Sequence, residues 1–365
     1  MSLRTAASAR RKHAVSDTSD DDLVETDDEG RSRLRPASLS RRRFLGVAGA
    51  GVVTVGGARA VHNTLLGYGH FGMGTNLLEQ DIQPVLEARL SLRYNERFDP
   101  AHVWLDGDGR FVGVEHDGVD TVEFDADTDT DARRLDESAG LDSVVSELFA
   151  DVSSLRADEY AFEFFDYASF FERARDAETR PHIVSAIRSR SDRAADVDLV
   201  ESFTDADPTD AEALVYGLKM GFREHGHYDV PRYVAGSIED NVIFGAADLR
   251  QHFEDPVDFE ALSENGGTGM FCWELVFRSM EALHAVAPWN QTVPIATFYV
   301  SDRRHKHAYT GLLTAIRDDD GSLRFPVTFV DYTYSTLYDD FRLTGLRGEG
   351  LNAYDDGHRA DEVYW

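Results

Sequence analysis

The stretch from residue 264 to 336 constrains this chain most, because its hydrophobic period switches from that of a helix to that of strands at readable points. It opens Glu264-Asn265-Gly266-Gly267-Thr268-Gly269-Met270-Phe271-Cys272-Trp273-Glu274. Apolar residues then recur at Leu275, Val276, Met280, Leu283, Val286 and Ala287, the one-faced spacing of an amphipathic helix that ends before Pro288. Residues 293–300 (VPIATFYV) have the pattern of a buried strand, and a polar loop runs from Ser301 to Lys306. A second strand is expected over 307–316, headed by His307-Ala308-Tyr309. After the turn Asp318-Asp319-Asp320-Gly321, a third over Leu323–Val330 delivers Asp331-Tyr332-Thr333. Connections this short make neighbouring strands antiparallel.

The chain holds one cysteine, so it forms no internal disulfide and no Cys-based zinc knuckle. Cys272 falls in the first turn of the expected helix, where unpaired N–H groups and the positive end of the helix dipole favour a thiolate. A nucleophilic cysteine needs that bias. Taken alone, the segment favours a buried Cys on an apolar face over a reactive one. His307 follows Cys272 by 35 residues and Asp331 follows His307 by 24. Adjacent antiparallel strands can bring those two side chains beside the helix terminus.

A Gly-rich run to a Cys opening a helix, His-Ala-aromatic starting a strand and Asp-x-Thr closing the next resembles the transglutaminase-like superfamily of papain-type cysteine enzymes. The likeness covers roughly 210–345. Two residues, Met270 and Phe271, separate Gly269 from Cys272 where the family has one, and Tyr309 and Tyr332 stand for its usual Trp and Pro. The resemblance implies an α+β fold with a papain/transglutaminase-like core, the Cys-bearing helix lying against an antiparallel sheet, preceded by a helical and hairpin N-terminal unit. It implies Cys272 as nucleophile, His307 as general base and then acid, and Asp331 as the group that orients the imidazole, with no cofactor and no metal. The partner would be a protein or peptide substrate. An oxyanion hole needs a donor besides the Cys272 N–H, and Asn265 and Gln251 are equal candidates.

Upstream, 77–90 suggests a short helix, and 103–105 and 111–114 flank a DGDG turn as a hairpin. Segment 123–137 is Asp-rich and reads as a solvated loop. Residues 141–175 read as helical, with Phe162, Phe164, Phe165, Phe170 and Phe171 as core. A helix is expected at 181–190, a charged connector at 191–210 and a helix at 210–224. The organisation expected is 1–60 as an extension and signal, 61–200 as an N-terminal α+β unit, and 201–365 as the transglutaminase-like domain.

Acidic residues outnumber Lys plus Arg by 67 to 37, and lysine occurs only at Lys12, Lys219 and Lys306. That balance resembles proteins of very saline environments, where dense carboxylates hold water and salt screens their repulsion. No basic stripe offers itself to phosphates, which argues against a nucleic-acid partner. Ser40-Arg41-Arg42-Arg43-Phe44-Leu45, the apolar Gly46–Gly57 and Ala58-Arg59-Ala60 follow the order of a twin-arginine export signal, with cleavage expected after Ala60. The expected location is secreted or at the cell surface. Segment 16–30 has the composition of a disordered extension.

The pairs His225/His227 and His305/His307 raise a third reading, a metal-binding surface protein. His284 lies inside the Cys272 helix, and Asn290-Gln291-Thr292 fits a glycosylation sequon. Between a thiol enzyme and a non-catalytic surface protein that uses the same fold to bind a peptide or partner, the reactivity of Cys272 discriminates.

Overall fold

The computed structural model describes residues 80–107, 109–124, 129–188, 194–229, 232, 235, 258–265, 268–303, 307–333 and 359–365. The twin-arginine segment, Gln251 and His305 lie outside them. The fold is α+β.

The chain enters through α1 (Gln83–Glu87), which Pro84 shortens to little more than a turn of the helix expected over 77–90. Four strands follow as an antiparallel meander: β1 (Asn95–Phe98), β2 (Ala101–Leu105), β3 (Phe111–Glu115) and β4 (Val119–Glu123). The expected hairpin is its centre, with Leu105 opposite Val112. Alternation in β2 buries Ala101, Val103 and Leu105 on one side. Gly113 pairs with Trp104, whose indole occupies the space a Cβ at 113 would need.

Three expectations for the middle of the chain are corrected. The Asp-rich segment is not a loop over its length, because Asp129–Ala139 forms α2. Asp129 and Asp131 suit the positive first turn, and Asp136 turns inward to accept the Val145 and Ser146 N–H groups at 2.8 and 2.9 Å. That carboxylate thereby supplies the entrance of α3 (Val144–Arg156) with acceptors. Segment 141–175 is not helical throughout either. Tyr160–Phe164 forms β5 between α3 and α4 (Tyr167–Arg175), a helix capped by Asp166. Of the five phenylalanines expected in the core, Phe162, Phe170 and Phe171 are buried and Phe164 and Phe165 half-buried. Lastly, the charged connector contains α6 (Val197–Thr204), started by the Asp196 carboxylate on the N–H groups of Asp198 and Leu199. Before it come the two-residue β6 (Glu178–Thr179) and α5 (Pro181–Ile187); after it comes α7 (Ala211–His225).

The larger sheet is built on β9 (Ala296–Asp302), β10 (His307–Leu313) and β12 (Leu323–Val330), antiparallel neighbours as expected. The short β11 (Ile316–Arg317) continues β10 beyond a break opposite Pro326, a residue with no N–H to offer its neighbour. β13 (Glu362–Tyr364) extends the sheet beyond β9, β5 joins β12 in parallel, and β6 joins β11. The sheet therefore draws strands from both sides of residue 200.

Every residue of β10 is buried, so its sequence shows no regular alternation of apolar and polar positions. Tyr309 and Leu313 join the core shared with the meander and α3, while Leu312 joins a second core with α4, α6 and α7. Gly311 sits directly opposite Phe298, whose ring fills the place of the missing side chain.

Candidate active site

A short parallel pair, β7 (Gly226–Tyr228) and β8 (Thr268–Met270), the latter preceded by α8 (Phe259–Asn265), leads into the helix that carries the cysteine. That helix is α9 (Cys272–Leu283), with Phe271 as its N-cap and Cys272 as its first residue. The first helical bond runs from Leu275 N–H to Phe271 carbonyl at 3.0 Å, so the N–H groups of Cys272, Trp273 and Glu274 point off the end of the helix. Phe271 has no side-chain acceptor to give them. Glu274 reaches back instead, and its Oε2 takes the Phe271 N–H at 2.7 Å. The glycine before this entrance is required by packing: a Cβ on Gly269 would fall 2.8 Å from the Asp229 carboxylate.

Cys272, Val276 and Met280, spaced by four, form one stripe of α9 and pack on Ala308 of β10, with Tyr299 alongside. Leu275, Ala282 and Leu283 form the stripe that enters the second core. The far end of α9 is fixed by Arg188, which donates to the carbonyls of Leu283 and Val286 at 2.8 and 2.9 Å. The helix stops short of the expected Ala287 at Leu283. There His284 is buried and its Nε2 engages both the N–H and the hydroxyl of Thr297. It is a core residue that ties helix to β9.

His307 is the first residue of β10 and Asp331 follows β12 directly. His307 Nε2 and Asp331 Oδ2 stand 2.6 Å apart, with both side chains almost wholly shielded from solvent. The second carboxylate oxygen accepts the Thr333 N–H at 2.9 Å, which explains a polar Asp-x-Thr turn at this place. Cys272 lies near enough to the same imidazole to act on its charge. Since Asp331 holds Nε2, Nδ1 is the ring nitrogen left to exchange a proton. The structure thus brings together Cys272, His307 and Asp331, three residues from a helix start, a strand start and a strand end.

Burial works against charge on His307. The Asp331 carboxylate, through its charge and hydrogen bond, and then Cys272 outweigh it and push the imidazole up to about 10. Tyr309 stacks near the imidazole, and its hydroxyl donates to the Arg359 carbonyl at 2.7 Å. The phenol of Tyr299 is pushed up to about 12 by burial and then by the nearby Cys272.

Comparison with family models, with curated proteins and with solved structures returns no match for this chain.

His225 ends α7 against the Phe203 ring, and His227 lies in β7. Among the described residues no three His, Cys, Asp or Glu side chains converge as metal ligands. Asn290 is exposed at the end of a single 3₁₀ turn. No described helix is long and apolar enough to cross a membrane.

Sequence reasoning missed two residues beside Cys272. Glu274 was legible in principle, as an acid at the third helical position behind a cap. Arg232 was not. Its Nη1 lies 2.8 and 3.1 Å from the two Glu274 oxygens, a contact across 42 positions with no local signature.

Proposed function

We propose that this chain is a thiol enzyme of the transglutaminase-like kind, with a papain-like core, that acts on an amide bond as peptidase, amidase or acyl transferase. The observation that carries the reading is one imidazole bonded to Asp331 and lying beside the chain's single thiol, at a helix N-terminus. A buried structural cysteine has no use for that arrangement.

In the reaction, the proton shared by Cys272 and His307 rests on the imidazole, and the sulfur attacks the carbonyl carbon. The Cys272 N–H at the head of α9 faces the oxygen that becomes negative. The tetrahedral species collapses as the C–N bond breaks and His307 returns the proton to the leaving amine. Water or a second amine, deprotonated by His307, then attacks the thioester and releases the thiol. Asp331 holds the ring in the tautomer that the cycle needs and supports the imidazolium. The acidic, lysine-poor composition and the twin-arginine segment support an exported protein, secreted or at the cell surface of an organism living in concentrated salt.

The test is alkylation of the folded chain by iodoacetamide. Cys272 is expected to react well below the ordinary thiol value of about 8.5. His307→Ala is expected to slow it by about tenfold or more near neutral pH. A Cys272 that reacts only after unfolding, at a rate indifferent to His307, sinks the proposal.

A further inference from the structure

Glu274 poses an electrostatic difficulty for the site just described. Its carboxylate sits within the first turn of α9, bonded to the N–H of the residue immediately before Cys272. There it orders the helix entrance and suits the helix dipole. The same negative charge, buried at 6 % exposure, opposes the negative charge that a reacting sulfur must carry.

Arg232 answers it. The guanidinium is as buried as the carboxylate and spans both of its oxygens. The same group lies 4.4 Å from the Phe271 ring centre and 5.9 Å from that of Trp273, the residues on either side of Cys272. Its own backbone is pinned, since the Arg232 N–H donates to Asp229 Oδ1 at 2.9 Å and the Asp229 N–H bonds the Met270 carbonyl at 3.0 Å. The cation is therefore tied to both strands of the β7–β8 entrance and to the first turn of the helix.

We propose that Arg232 is a positioning residue for Cys272: it neutralises Glu274, so that one carboxylate can order the helix entrance without setting a net negative charge against the sulfur. This role rests on the reading of Cys272 as the reactive thiol. Among the described residues, the charged and titratable groups on the elements around that sulfur include Glu274 on its own helix, Tyr299 from β9, His307 from β10, Asp331 behind His307, and Asp229 and Arg232 after β7. Of these, Arg232 is the cation paired to the carboxylate in the Cys272 turn.

The experiment measures the iodoacetamide rate of Cys272 against pH in the full chain for four variants: Arg232→Met, Arg232→Lys, Glu274→Gln and the double Arg232→Met/Glu274→Gln. Arg232→Met is expected to raise the midpoint of the profile by about one pH unit, by leaving the carboxylate uncompensated. Glu274→Gln is expected to move it the other way, by leaving the cation uncompensated. Arg232→Lys and the double variant are expected to return it toward the native value. A pair that serves only to hold the fold lowers the melting temperature and leaves every midpoint in place. Should Arg232→Met fail to fold, the opposite shift in Glu274→Gln and its cancellation in the charge-free double variant still decide the matter. His307→Ala, run in parallel, separates the two readings. A rate indifferent to His307 overturns the triad and this role with it. A rate that depends on His307, with a midpoint that ignores Arg232 and Glu274, overturns this role alone.

Discussion

Ser279 of the cysteine helix and Thr310 of the histidine strand meet hydroxyl to hydroxyl at 2.8 Å, both fully buried. Ser279 spends its own proton on the Val276 carbonyl, so Thr310 donates to Ser279. The bond lies two helical turns beyond Cys272 and three residues beyond His307 along the strand, where it sets how far α9 slides along β10. Ser279→Ala leaves the Thr310 hydroxyl buried without its acceptor and is expected to cost about 1–3 kcal/mol. Ser279→Ala/Thr310→Val removes both partners and should cost less than the sum of the single changes. Urea midpoints measure this, and strictly additive costs would show that the two hydroxyls do not depend on each other.

Asp331→Asn is expected to preserve the fold, because Asn retains an acceptor for the Thr333 N–H, while slowing amide turnover by at least about a hundredfold. Assay against unfolding midpoint separates the two effects. A variant with native turnover removes Asp331 from the mechanism.

The same variant has a signature in stability against pH. Folding raises the His307 value from 6.5 to about 10, so the folded chain binds the extra proton between those limits. The stability from the His307–Asp331 pair is therefore fully present below 6.5 and is lost as pH rises through about 10. The native chain should lose stability over this window more steeply than Asp331→Asn, in which the main cause of the rise is gone. Other groups titrate alike in both, so parallel curves would contradict the assignment.

Salt should govern folding. Residues 61–365 carry 59 acidic against 26 basic residues, a net charge near −33. Repulsion among them acts over about 10 Å at 0.1 M salt and about 3 Å at 1 M. The unfolding midpoint is expected to rise strongly between those conditions, and a salt-independent midpoint would count against adaptation to saline surroundings.

Export should need the paired arginines. Replacing Arg41 and Arg42 together by Lys is expected to leave the precursor inside the cell, as read by fractionation. Normal secretion of that variant would point to another route.

The sequence by itself determined the local parts of the site. The change from a 3.6-residue to an extended pattern marked α9, β9, β10 and β12, and so put Cys272 at a helix start, His307 at a strand start and Asp331 just past a strand end. Such periodicity is a property of neighbouring residues, and it survives in any context that buries one face. Net charge is likewise additive along the chain.

Only the tertiary structure decided the rest. Tyr160–Phe164 has apolar residues that suit a helix as well as a strand, and it becomes β5 because β12 offers it an open row of backbone groups, with Phe162 opposite Phe325. Asp136 looked like one more solvated acid until the α3 entrance required acceptors. Arg232 became the partner of Glu274 because a buried carboxylate needs a cation within bonding distance, and proximity in space across 42 positions leaves no mark on either residue's neighbours.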